Sequence, residues 1–179
     1  LFWAHYSYLC LDPRGLSDNY ANYWDVVKNH TQIIHEHSIQ NPEDYAGYSD
    51  KCWGLTSSYS RNSDGSTGYA AHKPNNDKGI ISPTAALSSF PYTPEESLKF
   101  LRFLYEDSNN EYIGIAGPYD AFSVHYHWKT PRYLAIDQGT IGPMIENYNT
   151  QLFWNLFMNA PEIKQGLVEL GFSSKEHGF

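Results

Sequence analysis

Three carboxylates stand where the sequence gives them chemistry to do. Glu146 lies in Met144-Ile145-Glu146-Asn147-Tyr148, where apolar residues recur at helical spacing. Ile145, Tyr148, Leu152 and Leu156 make one stripe, and Phe153 and Phe157 thicken the next. A helix apolar nearly all round is a buried one. Glu146 is therefore expected in low-dielectric surroundings, where desolvation raises a carboxyl pKa and fits it to act as a general acid. The plain alternative is a Glu satisfied by an Arg, such as Arg132, or by a backbone amide, and periodicity alone does not choose between them. Asp137, in Ile136-Asp137-Gln138-Gly139, reads as a helix-capping residue or as a catalytic carboxylate. Asp120, in Gly117-Pro118-Tyr119-Asp120-Ala121-Phe122, reads as a turn residue or as a carboxylate lining a cleft between two aromatics. Asp77, in Asn75-Asn76-Asp77-Lys78-Gly79, reads as a solvated turn.

Aromatic side chains accompany these acids. Trp53, Tyr59, Tyr69, Tyr119, Tyr126 and Trp128 fall on irregular segments rather than on core stripes. A pyranose presents an apolar face to an aromatic ring and hydroxyls to Asp, Asn, Gln and His. Paired carboxylates with such rings are the equipment of glycoside hydrolysis. Some of the rings read instead as plugs beneath long loops. His35-Glu36-His37 and His125-Tyr126-His127 are poor metal sites, because i and i+2 diverge on a helix and no third ligand accompanies the second pair. No metal and no cofactor is expected. The nucleophile elbow, the P-loop and the dinucleotide fingerprint are all missing.

The composition narrows the partners. Among 179 residues, 12 are basic and 20 acidic, for a formal charge of −8. That sign argues against nucleic acid and against an anionic membrane surface. Hydrophobic residues at 41% against charged residues at 18% give enough apolar matter for a folded core. No apolar run reaches the roughly 18–20 residues of a membrane span. Cys10 and Cys52 are too few for a disulfide framework and could form one bridge or stay as thiols. The chain opens at Leu1 in mid-pattern, with Phe2, Trp3, Tyr6 and Tyr8 crowded together, and reads as the interior of a longer polypeptide.

The elements that must position these residues are mostly helices. Ser17–Gln40 reads as the first, capped by Ser17 or Asp18 and stopped by Asn41-Pro42. Residues 41–80 look irregular. Ser82 to Leu87 reads as a short helix with Pro83 at its first position. Thr93-Pro94-Glu95-Glu96 opens another through a capping box, with Leu98, Leu101, Leu104 and Tyr105 on one face. Residues 108–135 look irregular, with short strands at 112–115 and 121–128. A long helix is expected from Thr140–Pro143 to Met158, a short one over 161–170, and then a polar tail. Long helices joined alternately by aromatic loops and tight turns predict an all-α fold whose loops crowd one end of a helical toroid.

Several long motifs stand in one order: Cys52-Trp53-Gly54-Leu55-Thr56, Ile81-Ser82-Pro83-Thr84-Ala85-Ala86-Leu87, Pro91 through Ser97, Tyr119-Asp120-Ala121-Phe122, and Tyr133-Leu134-Ala135-Ile136-Asp137-Gln138-Gly139 through Tyr148. Together they make the chain resemble the bacterial glucoamylase-like (glycoamylase) family, which includes the β-1,2-glucanases of glycoside hydrolase family 144. The resemblance implies an (α/α)6 toroid of which residues 1–179 form the C-terminal part, the N-terminal part lying outside the chain. It implies exported enzymes, periplasmic or extracellular, that act on β-linked glucan by an inverting route. It places Glu146 at a catalytic carboxylate of the family and Asp137 and Asp120 at cleft-lining positions, with the second acid upstream of Leu1. Two positions depart from the family pattern: Thr140 stands where members commonly have Pro, and Asn149 where they commonly have Arg.

The resulting expectation is a glycosidase acting on β-1,2-glucan. Glu146 and Asp137 would be catalytic, and Asp120, Trp53, Tyr119, Trp128 and Tyr148 would hold the glucan. The rivals are a non-catalytic glucan-binding protein, a transglycosylase on the same fold, and an α-glucan glucoamylase.

Overall fold

Backbone conformation at a few residues sets the path of the chain. A computed structural model describes all residues, Leu1–Phe179. After helix α1 (Phe2–Ser7) and strand β1 (Leu16–Ser17), Asp18 turns the backbone by accepting from the amides of Tyr20 and Ala21. Helix α2 (Tyr23–Gln40) therefore starts later than the apolar spacing predicts. Its cap is Asn22, whose Oδ1 accepts from the Asp25 amide at 3.2 Å. Asn41 ends it at φ 45°, a left-handed conformation that Asn tolerates.

Residues 41–80 contain a hairpin that the sequence pattern hides. Strands β2 (Ser57–Arg61) and β3 (Thr67–Ala71) pair antiparallel, with Tyr59 opposite Tyr69. The alternation is real, but its inward positions are Ser58 and Ser60 rather than large apolar residues. Ser58 is satisfied by hydrogen bonds to Ser82 Oγ at 2.7 Å and to the Tyr59 carbonyl at 2.9 Å. A strand that faces inward with hydroxyls leaves no hydrophobic signature of period two.

Helix α3 (Pro83–Leu87) is buried along its whole length. Gly54 passes so close to it that a Cβ there would lie 2.9 Å from the Ser82 carbonyl oxygen, and its φ of +136° is a glycine conformation. Helix α4 (Pro94–Arg102) runs into one wide π turn, Phe103–Asp107. The capping box is absent: the Thr93 hydroxyl bonds to the Ser89 carbonyl instead, at 3.4 Å. Phe100 and Leu104 point inward while Leu98 and Tyr105 are exposed, so the buried face lies to one side of the one the spacing predicts.

Strands β4 (Ile113–Gly114) and β5 (Gly117–Pro118) pair, as do β6 (Ala121–Ser123) and β7 (Trp128–Thr130). After the short helix α5 (Ala135–Gln138), the last long helix is in fact two: α6 (Ile141–Thr150) and α7 (Leu152–Met158). Gln151 breaks it at φ 61°. Asn147 makes the break tolerable, since its Oδ1 accepts from the amides of Phe153 and Trp154 and its Nδ2 donates to the Leu9 carbonyl. Rotation at the break brings Met144, Asn147, Trp154 and Met158 inside and leaves Tyr148, Leu152 and Leu156 exposed. The expected apolar stripe is thus not the buried one. Helix α8 (Pro161–Glu169) follows, and the tail is structured: strand β8 (Ser173–Ser174) pairs with β1.

The fold is helical, with four two-stranded ladders set between the helices, so the expectation of an all-α chain is corrected. The main core joins Trp53, Leu55, Ile81, Phe100, Leu104 and Phe122, and Tyr112 stacks on Phe122 at 3.9 Å. No helix is long and apolar enough to cross a membrane. Cys10 and Cys52 are free thiols, Cys52 buried in the core.

Candidate active site

The hairpin, the turn before β6 and helix α5 converge on two carboxyls. Asp120 is held by its own amide, which donates to the Arg132 carbonyl, and by the Tyr59 amide, which donates to Oδ2 at 2.7 Å. Asp137 stands in the first turn of α5, and the exposed hairpin residue Tyr69 donates its hydroxyl to Oδ1 at 2.7 Å. The oxygens left over, Asp120 Oδ1 and Asp137 Oδ2, are buried and have no other hydrogen-bonding partner. The two carboxyls face each other, and the protonation of each depends on the other. Each residue is only 1% exposed.

Burial dominates the protonation of this pair. It pushes the Asp120 carboxyl up to about 7 against the pull of the Tyr59 amide, and the charge and hydrogen bond of Asp137 add to the rise. Burial also raises Asp137, opposed by the hydrogen bonds from Tyr69 and Asp120. Two like charges in contact cannot both form cheaply, so one proton is kept. The Tyr69 hydroxyl is raised by burial and then by its bond to Asp137, which keeps it a neutral donor.

Rings and a cation cover this pair. Tyr59 and Tyr69 meet edge to face at 6.3 Å, Arg132 lies over the Tyr59 ring at 5.4 Å, and Tyr69 is 52% exposed. Tyr6 donates to the Ile136 carbonyl at 2.6 Å beside them. Between α5 and α6 opens a hollow of about 460 Å³, walled by Pro118, Tyr133, Leu134, Gln138, Ile141 and Gly142. Gln138 fixes one wall through its bond to the Pro118 carbonyl at 2.6 Å.

The sequence-predicted residues fare differently. Asp120 and Asp137 come together, and neither is free: Asp137 is a hydrogen-bond acceptor beneath Tyr69 rather than a helix cap. Glu146 is bonded to neither of them. It is half-buried rather than enclosed, and its Oε1 accepts from Thr150 Oγ1 at 2.6 Å. No guanidinium clamps it, since Arg132 is spent on Tyr59. Gly142 lines the hollow, and Glu146 lies one turn further along the same face of α6.

Trp53 must be corrected. It is fully buried, donates Nε1 to the Glu96 carbonyl at 3.3 Å and packs edge-on against His35, so it is core and not a sugar wall. Tyr119 is half-buried against Tyr133 at 5.9 Å, Trp128 is half-buried on β7, and Tyr148 is exposed beside Phe90 at 5.7 Å. Asp77 is also corrected. Its carboxylate is buried and receives Tyr48, the Gly79 amide and His37, each within 2.9 Å. Sequence reasoning missed the anchoring of Tyr69 and the place of Tyr6 and Arg132. The only signal for Tyr69 was its register with Tyr59, which needs the hairpin first. No group of three His, Cys, Asp or Glu gathers that could hold a metal ion.

Three comparisons with known proteins bear on this site. The family described as "Glycoamylase: Putative glucoamylase" matches residues 1–161. An exo β-1,2-glucooligosaccharide sophorohydrolase (non-reducing end) of Parabacteroides distasonis is 40% identical over 172 residues, which is 95% of this chain and 23% of that protein. The solved glucoamylase-like protein of Bacteroides uniformis superposes with a TM-score of 0.92 at 50% identity, over 99% of this chain and 42% of its own. The endo-β-1,2-glucanase of Chitinophaga pinensis, in complex with sophorotriose and glucose, gives 0.90 at 52% identity, over 97% and 41%. The chain therefore spans less than half the length of each of these relatives.

Proposed function

The chain belongs to the glycoamylase family, and on that premise we propose that it is the C-terminal part of an (α/α)6 glycoside hydrolase domain that cleaves β-1,2-glucan by an inverting route. The relatives named for β-1,2-glucan at 40% and 52% identity support the linkage. The observation that carries the reading is local. A hollow between α5 and α6 is walled by Gly142, one helical turn from the half-buried carboxylate Glu146, and by Gln138, the neighbour of the buried Asp137 on which Tyr69 is anchored.

Inversion needs two carboxyls roughly 6.5–9.5 Å apart, so that a water fits between acid and base. Asp120 and Asp137 are in hydrogen-bonding contact and are too close for those roles. Glu146 is then the acid or base contributed by this chain. It has a carboxylate oxygen free beyond its bond to Thr150, and it carries no ion pair that a sugar would have to displace. Its partner carboxyl would come from the rest of the domain. Asp137 and Asp120 act as a positioning pair, which is a change of role for Asp137. They fix the Tyr69 hydroxyl and the hairpin, so that the exposed ring meets a pyranose face at a set height. Tyr119, Tyr148 and Trp128 are secondary contacts for the same chain of sugars. The proposed compartment is periplasmic or extracellular.

The test is product analysis with the full-length polypeptide on β-1,2-, β-1,3-, β-1,4- and α-1,4-glucans. Release of β-1,2-linked oligosaccharides or disaccharides alone supports the reading, and cleavage confined to α-1,4-glucan overturns it.

A further inference from the structure

A second hollow lies at the tip of the β2–β3 hairpin, away from the carboxyl pair. It measures about 660 Å³ and is walled by Tyr45, Arg61, Asn62, Asp64, Lys78 and Tyr126, together with Ser63 and Asp77. That volume falls inside the roughly 300–1,000 Å³ of ordinary small-ligand sites.

Its chemistry is that of a polyol site rather than an ion site. The two cations, Arg61 and Lys78, are balanced by two carboxylates, Asp64 and Asp77, so the lining carries no formal net charge. Asp77 is fully engaged with Tyr48, His37 and the Gly79 amide and cannot move to meet an ion. Two phenol rings supply apolar faces, and Asn62, Ser63 and Lys78 supply polar groups at the rim.

The wall is preformed. Tyr45 is packed edge-on against His125 at 5.3 Å and tilted against Tyr48 at 5.5 Å. It also lies so close over Gly79 that a Cβ there would come within 2.7 Å of its ring. Tyr126 is steadied by the Arg61 guanidinium 4.9 Å over its ring centroid and remains 40% exposed.

Hairpin register connects this hollow to the site above. Tyr59 pairs with Tyr69 and Arg61 with Thr67, and side chains two residues apart on a strand share a face. Arg61 therefore stands on the face of Tyr59 and Tyr69, roughly 7 Å further along the strand. That step is of the order of one sugar unit.

We propose that the Tyr45–Arg61–Tyr126 hollow binds glucose units of the glucan lying beyond those at Glu146, so that the enzyme reads chain length along the outer face of the hairpin. This rests on the proposed β-1,2-glucanase reading.

The experiment measures kcat/KM of the full-length polypeptide on β-1,2-glucooligosaccharides of increasing length, for the wild type, Tyr126→Ala and Tyr126→Phe. The expected result is a long-to-short ratio that falls on the order of tenfold in Tyr126→Ala. Tyr126→Phe keeps the ring and should restore it. Thermal midpoints of both variants show whether they fold, and Lys78→Ala, an exposed change at the same rim, should lower the ratio in the same direction if Tyr126→Ala does not fold. A ratio unmoved by Tyr126→Ala and Lys78→Ala, or an equal loss at every length, overturns the subsite and leaves the proposed function standing. Failure of the wild type to cleave any β-1,2-glucooligosaccharide overturns both.

Discussion

At Asp120 a carboxyl is held protonated near neutral pH by its burial and by the carboxylate it touches. The folded chain keeps a proton there that the unfolded chain releases above 3.8. The stability this proton contributes is present in full below 3.8 and is lost as the pH rises through about 7. His72 slopes the other way, because burial pulls its imidazole down to about 4 and it must charge as the pH falls. A comparison at fixed His72 separates the two. Asp120→Asn reproduces the protonated acid, with an oxygen for the Tyr59 amide and a donor for Asp137. Its thermal midpoint is expected to gain on that of the wild type as the pH rises from 5 to about 7, and scanning calorimetry across that range checks it. Parallel profiles would show that the two carboxyls share no proton. Tyr69→Phe removes the hydroxyl that Asp137 holds and keeps the ring. It should raise KM on β-1,2-glucooligosaccharides more than it lowers kcat, by a factor on the order of ten. All three acids were visible in the sequence: Glu146 in an apolar helical stretch, Asp137 just before a helix and Asp120 between two aromatics. Which of them touch was not visible, since Asp120 and Asp137 meet only through the hairpin and α5.

Among the elements, the hairpin and the α6–α7 break decide where the site residues stand. The break depends on Asn147, which satisfies two amides and one carbonyl at once. Asn147→Ala leaves these groups buried without partners and should cost about 2–3 kcal/mol, read as a lower urea midpoint at unchanged slope. The approach of residue 54 to α3 is equally intolerant. Gly54→Ala forces a Cβ onto the Ser82 carbonyl at a φ that L-residues avoid, and should cost on the order of 2 kcal/mol or more by the same measurement. Helices whose ends carry Pro or Gly, such as Pro83–Leu87 and Pro161–Glu169, were legible to within a residue. The hairpin was not, because Ser58 and Ser60 take the place of apolar inward residues. The break was not legible either, because the helical spacing of Ile145, Tyr148, Leu152 and Leu156 carries across Gln151.

Across the whole molecule, large apolar residues remain at the surface: Trp3 is 80% exposed, Leu170 75% and Leu156 67%. Such exposure in a charged chain calls for a cover. In the proposed (α/α)6 domain the remaining helices supply it. Residues 1–179 expressed alone should therefore self-associate in sedimentation velocity, whereas the full-length polypeptide should not. A sharp monomer of the isolated segment would count against that assembly. The family was readable at this scale from the order of the motifs, and the match over residues 1–161 shows it. Trp53 was misplaced for a reason of the same scale: its segment looks like a loop, but the loop is folded back under α3 and α4.

Glu146 is the proposed acid or base that this chain brings to β-1,2-glucan. The most direct test is Glu146→Gln in the full-length polypeptide, with kcat and oligosaccharide affinity measured together. Turnover should fall by a factor of about 10²–10⁴ with affinity nearly kept. Turnover within a few-fold of the wild type would contradict it.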